Sequence, residues 1–130
     1  MTVEGDLAAP TFLIAVPQLG DPNFHRSVVF VLEHGDHGSM GLVINRSSDL
    51  SMGAFCSSQN LRYHGDVKQL VHIGGPVQTD RAFLLHSPGP NGPETESIID
   101  DILLSYSVET LKQLADQPPK DVRVYMGYSG

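Results

Sequence analysis

The segment that decides the fold is Ser27-Val28-Val29-Phe30-Val31-Leu32. Five of its six residues are apolar, so a strand built from them would present apolar side chains on both faces. We therefore predict a central strand that is covered on both sides. A second apolar run, Met40–Ile44, follows the turn residues Gly35-Asp36-His37-Gly38. A glycine-bearing link of this length predicts that the two strands pair antiparallel as a hairpin.

Other parts of the chain also predict strands. Short apolar runs bounded by turn residues give four candidates, which are Thr11–Val16, Leu70–Ile73, Phe83–His86 and Ile98–Tyr106. A further strand is predicted where Val122, Val124 and Met126 alternate with Arg123 and Tyr125, because a period of two is typical of a half-buried strand.

The sequence predicts two helices. Asp49 is expected to cap a short helix from Leu50 to about Phe55. A second helix is expected to begin after an N-cap at Ser107 and to end at Pro118-Pro119, with an apolar face made by Val108, Leu111, Leu114 and Ala115. Hairpins early in the chain and a crossover helix late in it predict an α+β fold rather than a regular alternation of strand and helix.

Length and composition predict a single domain over residues 1–130, with a flexible leader over residues 1–10. A chain of 130 residues with 40% hydrophobic residues can build one sizeable core. Eight basic and fifteen acidic side chains give a net charge of −7, and the basic residues stand singly rather than in a run or helical stripe. Direct nucleic-acid binding is therefore not expected.

Cysteine usage and the N-terminus predict the compartment. The only cysteine, Cys56, cannot form an internal disulfide and suits a reducing environment. Residues 1–10 lack the basic-then-apolar pattern of a signal peptide, and no apolar stretch reaches membrane-spanning length. We expect a cytoplasmic protein that makes no membrane contact.

No motif identifies a reaction or a cofactor. The chain has no Gly-Lys dipeptide to complete a Walker A loop and no Gly-x-Ser-x-Gly elbow. We therefore predict no cofactor, no catalytic residues and no metal. His34 and His37, with Glu33 and Asp36, could ligate a divalent ion, but a polar hairpin tip explains these residues better.

Three other features allow both a structural and a functional interpretation. Gly74-Gly75-Pro76 could bring backbone N–H groups to an anionic ligand, with Arg81 adding charge, although Gly and Pro are first of all turn residues. Asn45-Arg46 follows a predicted core strand, where ligand groups often collect, although a solvated strand end is commoner. Cys56 could pair with a histidine as a thiolate, but a half-buried helix cysteine explains it better.

Several blocks of the sequence resemble the YqgE/AlgH family of bacterial proteins. In the order of that family, the chain carries Phe12–Phe24, Ser27-Val28-Val29, Glu33-His34, Met40–Arg46, Gly74–Gln78, Asp80-Arg81, Leu85-His86-Ser87 and Gly127-Tyr128. These blocks cover nearly everything after Thr11. The resemblance implies an α+β fold with a bifurcated, partly closed, mainly antiparallel sheet and flanking helices.

The resemblance implies little chemistry. No enzyme activity or cofactor comes with the family, and one of its names derives from a genetic link with the regulation of alginate synthesis. It therefore favours a non-catalytic regulatory or interaction protein, such as a transcriptional regulator, with a protein partner or a weakly bound small ligand. The alternative is a hydrolase or phosphate-ester-binding enzyme with a site around Asp80, Arg81 and His86.

Polar and glycine residues within the family-like blocks form the candidate ligand site. They are Asp21, Asn45, Arg46, Gly74, Gly75, Asp80, Arg81 and His86. Convergence of the polar ones in one cleft, above all His86 beside a carboxylate, would support an enzyme. Scattered positions would favour the non-catalytic interpretation.

The chain departs from the family pattern at three places. Ser47 stands where the family usually has Pro, and Ala82 stands where it usually has Gly. Beyond a Gly-Tyr-Ala-Gly block the family continues into a Trp- and Gln-rich helical segment, whereas this sequence stops at Gly127-Tyr128-Ser129-Gly130. We therefore expect the C-terminal helical part to be missing.

If that helical part covers the strand at Val122–Met126, the chain should have an exposed apolar face. Contiguous apolar patches promote association and instability. We predict that the chain self-associates through this face or melts at an unusually low temperature, as light scattering and thermal unfolding would measure. A monodisperse monomer with a high, concentration-independent melting temperature would contradict this prediction.

Overall fold

The computed structural model describes residues 11–14, 28–35, 38–88, 95–99 and 102–130. They form nine strands and two helices, which are β1 (Thr11–Ile14), β2 (Val28–Gly35), β3 (Gly38–Val43), β4 (Ser47–Ser51), α1 (Met52–Ser58), β5 (Leu70–Ile73), β6 (Val77–His86), β7 (Thr95–Ile99), β8 (Ile102–Ser105), α2 (Val108–Asp116) and β9 (Val122–Tyr128). Three strands form a small sheet in the order β1-β2-β3. The other six form a large sheet in the order β4-β5-β9-β6-β8-β7.

The predicted central strand is the middle strand of the small sheet. β2 pairs antiparallel with β3, with Val29 opposite Val43 and Phe30 opposite Leu42, and it pairs with β1 on its other side. Val29, Phe30 and Val31 are at most 3% exposed, so both faces of β2 are buried. The hairpin and the two-sided burial are therefore confirmed.

β9 lies in the interior of the large sheet. Its Tyr125 faces His72 of β5 in a parallel pairing and Phe83 of β6 in an antiparallel pairing. Val122, Val124 and Tyr125 are 7%, 0% and 1% exposed. β9 is therefore buried on both faces along most of its length, which is more than the half-buried strand that its alternation predicts.

The α+β class and the mainly antiparallel pairing are confirmed. The predicted bifurcation takes the form of two sheets, but the predicted partial closure is not found. Within the described residues β4 and β7 are the outer strands of the large sheet, and four strands lie between them. Closure would need these two edges to pair. Neither helix in the described part of the chain is long and apolar enough to cross a membrane.

The large sheet separates two hydrophobic cores. On one face α1 and α2 pack against it, with Leu114 and Val124 in the same cluster of buried side chains. On the other face the small sheet packs against it, and Phe30 and Leu42 share a cluster with Tyr125. Alternate side chains of a strand point to opposite faces, so successive residues of β9 belong to the two cores in turn.

The apolar face expected at Val122–Met126 is not exposed. Val122 and Val124 belong to the core beneath the helices, and Tyr125 belongs to the core beneath the small sheet. Self-association of the chain stays a prediction, but this strand does not provide the surface for it.

Both helices form, and one of them has a different cap from the predicted one. α2 begins after Ser107, whose hydroxyl oxygen accepts a hydrogen bond from the Thr110 N–H at 3.1 Å, as predicted. α1 is capped by Ser51 rather than by Asp49. The reason is that β4 continues through Ser51 and delays the start of the helix to Met52.

Two further predictions are wrong in detail. Val108, predicted on the apolar face of α2, is 60% exposed. At ~100° per residue it lies about 90° from the centre of the buried face, which is formed by Thr110, Leu111, Leu114 and Ala115. The single strand predicted at Ile98–Tyr106 is divided between β7 and β8, which pair antiparallel.

The two sheets are joined where β3, β9 and the corner between β5 and β6 meet. The Gly74 N–H donates to the Met126 carbonyl at 2.8 Å, while the Gly74 carbonyl accepts from the Val43 N–H at 2.8 Å. Gly41 and Ser129 exchange two backbone hydrogen bonds of 2.9 and 2.8 Å. The corner therefore ties β9 to the small sheet.

The backbones at this junction are too close for side chains. A Cβ on Gly75 would overlap the Tyr128 carbonyl group, and a Cβ on Gly74 would overlap the Gly127 carbonyl oxygen. Gly127 has a φ of +76°, and a Cβ there would overlap the Gly75 carbonyl oxygen. Glycine is required at these positions by the close approach of two chain segments.

We expect Gly127→Ala to lower the free energy of unfolding by about 2 kcal/mol or more, because it adds both backbone strain and steric overlap. Urea unfolding followed by circular dichroism would measure the loss. The matched control is Gly130→Ala, whose Cβ would meet no atom closer than 3.5 Å and should change stability by less than about 0.5 kcal/mol. Equal stability of the two variants would contradict the role of the junction.

Candidate functional site

A groove of about 720 Å³ opens between the small sheet and the large sheet. Phe30 and Ile44 line it from the side of the small sheet, and Leu85, Ile102 and Tyr125 line it from the large sheet. Its polar lining is formed by His86, Ser87, Lys120, Asp121 and Arg123. A mostly apolar cleft with a few polar groups is the usual form of a ligand site.

Arg123 gives the groove a cation beside its aromatic wall. Burial raises the pKa of Tyr125 above its ordinary value, and a hydrogen bond and the positive charge from Arg123 offset part of that rise. On the neighbouring strand the His72 ring lies 5.0 Å from the Tyr125 ring. Burial and the charge of Arg123 lower the pKa of His72, so His72 tends to stay neutral beside the guanidinium.

His86 is held at the groove by a buried hydrogen-bond chain. The His86 Nδ1 lies 2.9 Å from the Ser87 carbonyl oxygen, which can only accept, so Nδ1 carries the proton. In the neutral ring Nε2 then accepts from the Ser105 hydroxyl at 2.7 Å, and the Thr95 hydroxyl lies 2.7 Å from the same Ser105 oxygen. His86 and Ser105 are 3% and 0% exposed.

The environment of His86 favours its neutral form. Burial lowers the pKa of His86 below its ordinary value of 6.5, although the hydrogen bond to the Ser87 carbonyl offsets part of that shift. A protonated ring would also present a second N–H to Ser105, whose hydroxyl would have to reverse. The chain of hydrogen bonds therefore fits a structural histidine.

Asp80 and Arg81 lie at a different cavity. That cavity has a volume of about 220 Å³ and lies between β6, α1 and α2. The Arg81 guanidinium carbon lies 5.4 Å from the centre of the Phe83 ring and 5.2 Å from that of Tyr106, distances at which a cation is attracted to an aromatic face. The aromatic pair therefore holds Arg81 on the strand surface.

The structure does not bring the candidate polar residues together. His86 lies six positions from Asp80 on β6, which corresponds to roughly 20 Å of strand, and the two cavities share no lining residue. The Gly74 backbone groups are hydrogen-bonded in the junction between the sheets, and Gly75 lies there in close contact with the Tyr128 carbonyl group. Asp21 lies outside the described residues.

Asn45 and Arg46 stabilise the end of a strand. The Asn45 side-chain oxygen accepts from the Val28 N–H at 2.9 Å, and the Arg46 carbonyl accepts from the Ile73 N–H at 3.0 Å. These bonds connect the segment after β3 to β2 and to β5. The structure therefore gives both residues a part in the framework.

Cys56 and the hairpin tip show no site within the described residues. Cys56 is 0% exposed in the core beneath the helices, and burial raises the pKa of its thiol, which disfavours a reactive thiolate. No group of three or more metal-ligating side chains occurs in the described part of the chain. Asp36 and His37 of the hairpin tip lie outside it.

Sequence reasoning missed the two cations of the groove. Lys120 and Arg123 stand singly in the sequence and belong to no family-like block, so nothing local marks them. The available signal is their position, since they follow Pro118-Pro119 and surround the first residue of β9. The ends of strands are where side chains converge on a cleft between sheets.

The fold and the groove define a class of protein: an α+β molecule in which two open sheets enclose a cleft and helices cover one face. Comparison with known proteins then gives the family. The AlgH-like family (DUF179) matches residues 12–130, and the chain belongs to this family.

The relatives are bacterial proteins of greater length. The UPF0301 protein of Myxococcus xanthus is 44% identical over 123 residues, which are 94% of this chain and 67% of the relative. The UPF0301 protein of Chromobacterium violaceum is 39% identical over 122 residues, covering 92% of this chain and 66% of that protein. The chain thus spans about two thirds of the length of these curated relatives.

Two solved structures share the fold. The solution structure of the AlgH protein from Pseudomonas aeruginosa matches with a TM-score of 0.72 and 33% identity, over 96% of this chain and 70% of that chain. The crystal structure of protein DIP2367 from Corynebacterium diphtheriae matches with a TM-score of 0.68 over 98% of this chain and 68% of that chain, at 18% identity. The latter supports the fold alone.

The lowered pKa values of His86 and His72 predict how stability depends on pH. Because their folded pKa values lie below the unfolded value of 6.5, the unfolded chain binds protons more readily as the pH falls below 6.5. Stability should therefore be highest above pH 6.5 and be lost as the pH falls towards the folded pKa values. Urea midpoints between pH 7.5 and 5 would measure this loss. His86→Gln should make the pH dependence shallower, and an unchanged slope would contradict the assignment.

Proposed function

We propose that this chain is a non-catalytic regulatory or interaction protein of the bacterial cytoplasm, and that its binding surface is the groove between the sheets. The observation that carries the proposal is the separation of the candidate polar residues. Asp80 and Arg81 line one cavity and His86 lines another. Ser87 and Asp121 line the groove with His86, but the Ser87 hydroxyl is hydrogen-bonded to the Asp121 backbone and the His86 ring to the Ser87 carbonyl and Ser105, so they form no relay of acid, base and nucleophile. The groove nevertheless has the volume and the apolar lining of a binding site.

The family context supports a regulatory role. The Pseudomonas aeruginosa relative carries the name AlgH, and the sequence resemblance to that family implies a genetic link with the regulation of alginate synthesis. A net charge of −7 disfavours direct contact with nucleic acid. We therefore propose that regulation proceeds through a ligand or a partner rather than through DNA.

The second candidate function is hydrolysis, which the 2.7 Å hydrogen bond between His86 and Ser105 favours. A serine activated by a histidine is a common nucleophile. Against this, Ser105 is 0% exposed, so a substrate has no access to its oxygen. The Nδ1 of His86 is held by the Ser87 carbonyl rather than by a carboxylate. Hydrolysis is therefore the weaker proposal.

A turnover assay separates the two functions. We expect no hydrolysis of p-nitrophenyl acetate or p-nitrophenyl phosphate above the blank, because the Ser105 hydroxyl beside His86 is buried and the Ser87 hydroxyl is hydrogen-bonded to the Asp121 backbone. Absorbance at the p-nitrophenolate band would measure it. Turnover that disappears in His86→Gln would overturn the non-catalytic proposal.

Binding of the neutral dye Nile red tests the groove itself. Ile102 lines the groove and is 38% exposed. Ile102→Lys would place a charge on an apolar wall and should lower the affinity for Nile red about tenfold, as a fluorescence titration would measure. The matched control is Ile73→Lys, since Ile73 is also a strand isoleucine, is 43% exposed and lies outside the groove lining. Equal dye binding by the two variants would contradict the proposed surface.

A further inference from the structure

We propose that the groove binds a small amphipathic monoanion, a carboxylate with an apolar tail, with the Arg123 guanidinium as the anchor for the carboxylate. The inference rests on the proposed function and specifies the ligand of the same groove. Its basis is the combination of apolar walls with two cations that form no ion pair within the described residues.

The walls of the groove are suited to an apolar tail. Phe30 and Ile44 approach from one side, and Leu85 and Ile102 approach from the other. A volume of about 720 Å³ lies within the range of sites for small molecules. Burial of an alkyl tail would contribute about 0.8 kcal/mol for each buried CH₂ group, which corresponds to nearly fourfold in affinity.

The cations at the groove have no anionic partner in the described part of the chain. The ion pair recorded there joins His64 and Asp116 at 4.0 Å and involves neither Lys120 nor Arg123. Two cations at one cleft are notable in a chain of net charge −7. Asp121 lies beside them in the lining, so the three side chains together carry one net positive charge.

The net charge of the groove side chains and the geometry of the guanidinium indicate the charge and shape of the ligand. One net positive charge at the rim is complementary to a single negative charge. A guanidinium offers two parallel N–H donors that match the two oxygens of a carboxylate. The Tyr125 side chain hydrogen-bonds to Arg123 and the His72 ring packs against Tyr125, so among the described residues of the lining Asp121 is the acidic one.

Displacement of Nile red by octanoate tests the ligand class. We expect octanoate to displace the dye at concentrations about tenfold lower than octanol, which has the same tail length without the charge, and acetate to be ineffective because it lacks the tail. Arg123→Gln should raise the octanoate concentration required by about tenfold after correction for each variant's own affinity for Nile red. Arg62→Gln removes an exposed arginine that does not line the groove and should not change this concentration.

The possible results distinguish this inference from the proposed function. Equal displacement by octanol and octanoate, or equal behaviour of Arg123→Gln and Arg62→Gln, would overturn the ligand class and leave the groove as a binding surface. Nile red binding that is insensitive to Ile102→Lys would overturn the groove, and the ligand class with it. Weaker octanoate binding in Arg123→Gln alone, with equal thermal unfolding of both arginine variants, would support the inference.

Discussion

The close backbone contact between Gly75 and Gly127 is the constraint on which the rest of the structure depends. It places the corner after β5 against β9, so that Gly74 can hydrogen-bond to β9 and to β3 at once. The exchange of backbone hydrogen bonds between Gly41 and Ser129 fastens the small sheet at the same end of β9. Towards the start of β9 these ties are absent, and there the two sheets enclose the groove.

Local sequence patterns predicted the elements whose own residues show an apolar pattern. β2 is apolar on both faces, and α2 has both a serine cap and an apolar stripe. The patterns did not reveal β4 (Ser47–Ser51), because an edge strand of polar residues needs no apolar alternation. They also did not reveal that β9 pairs with both β5 and β6, because such pairings join segments that are distant along the chain.

Prediction of the site was limited for a related reason. The family-like blocks drew attention to Asp80, Arg81 and His86, but six residues of strand separate Asp80 from His86 by roughly 20 Å, and they line different cavities. Gly74 and Gly75 have the composition of an anion-binding corner, yet the Gly74 backbone groups bond to β9 and β3, and Gly75 packs against the Tyr128 carbonyl group. Lys120 and Arg123 can be assigned to the groove only from the structure, in which the start of β9 lies beside the small sheet.

The position of β9 also has a consequence for biosynthesis. β9 inserts between β5 and β6, although both precede it in the chain, so ribosomal synthesis must deliver residues 122–128 before the large sheet can be completed. At about 5–20 residues per second, the segment from the end of β6 to the end of β9 takes roughly two to eight seconds to make. Throughout that interval β5 and β6 each have an unpaired edge, because β9 pairs with both of these edges in the folded protein. Chaperone binding at these edges would be of most use during that interval.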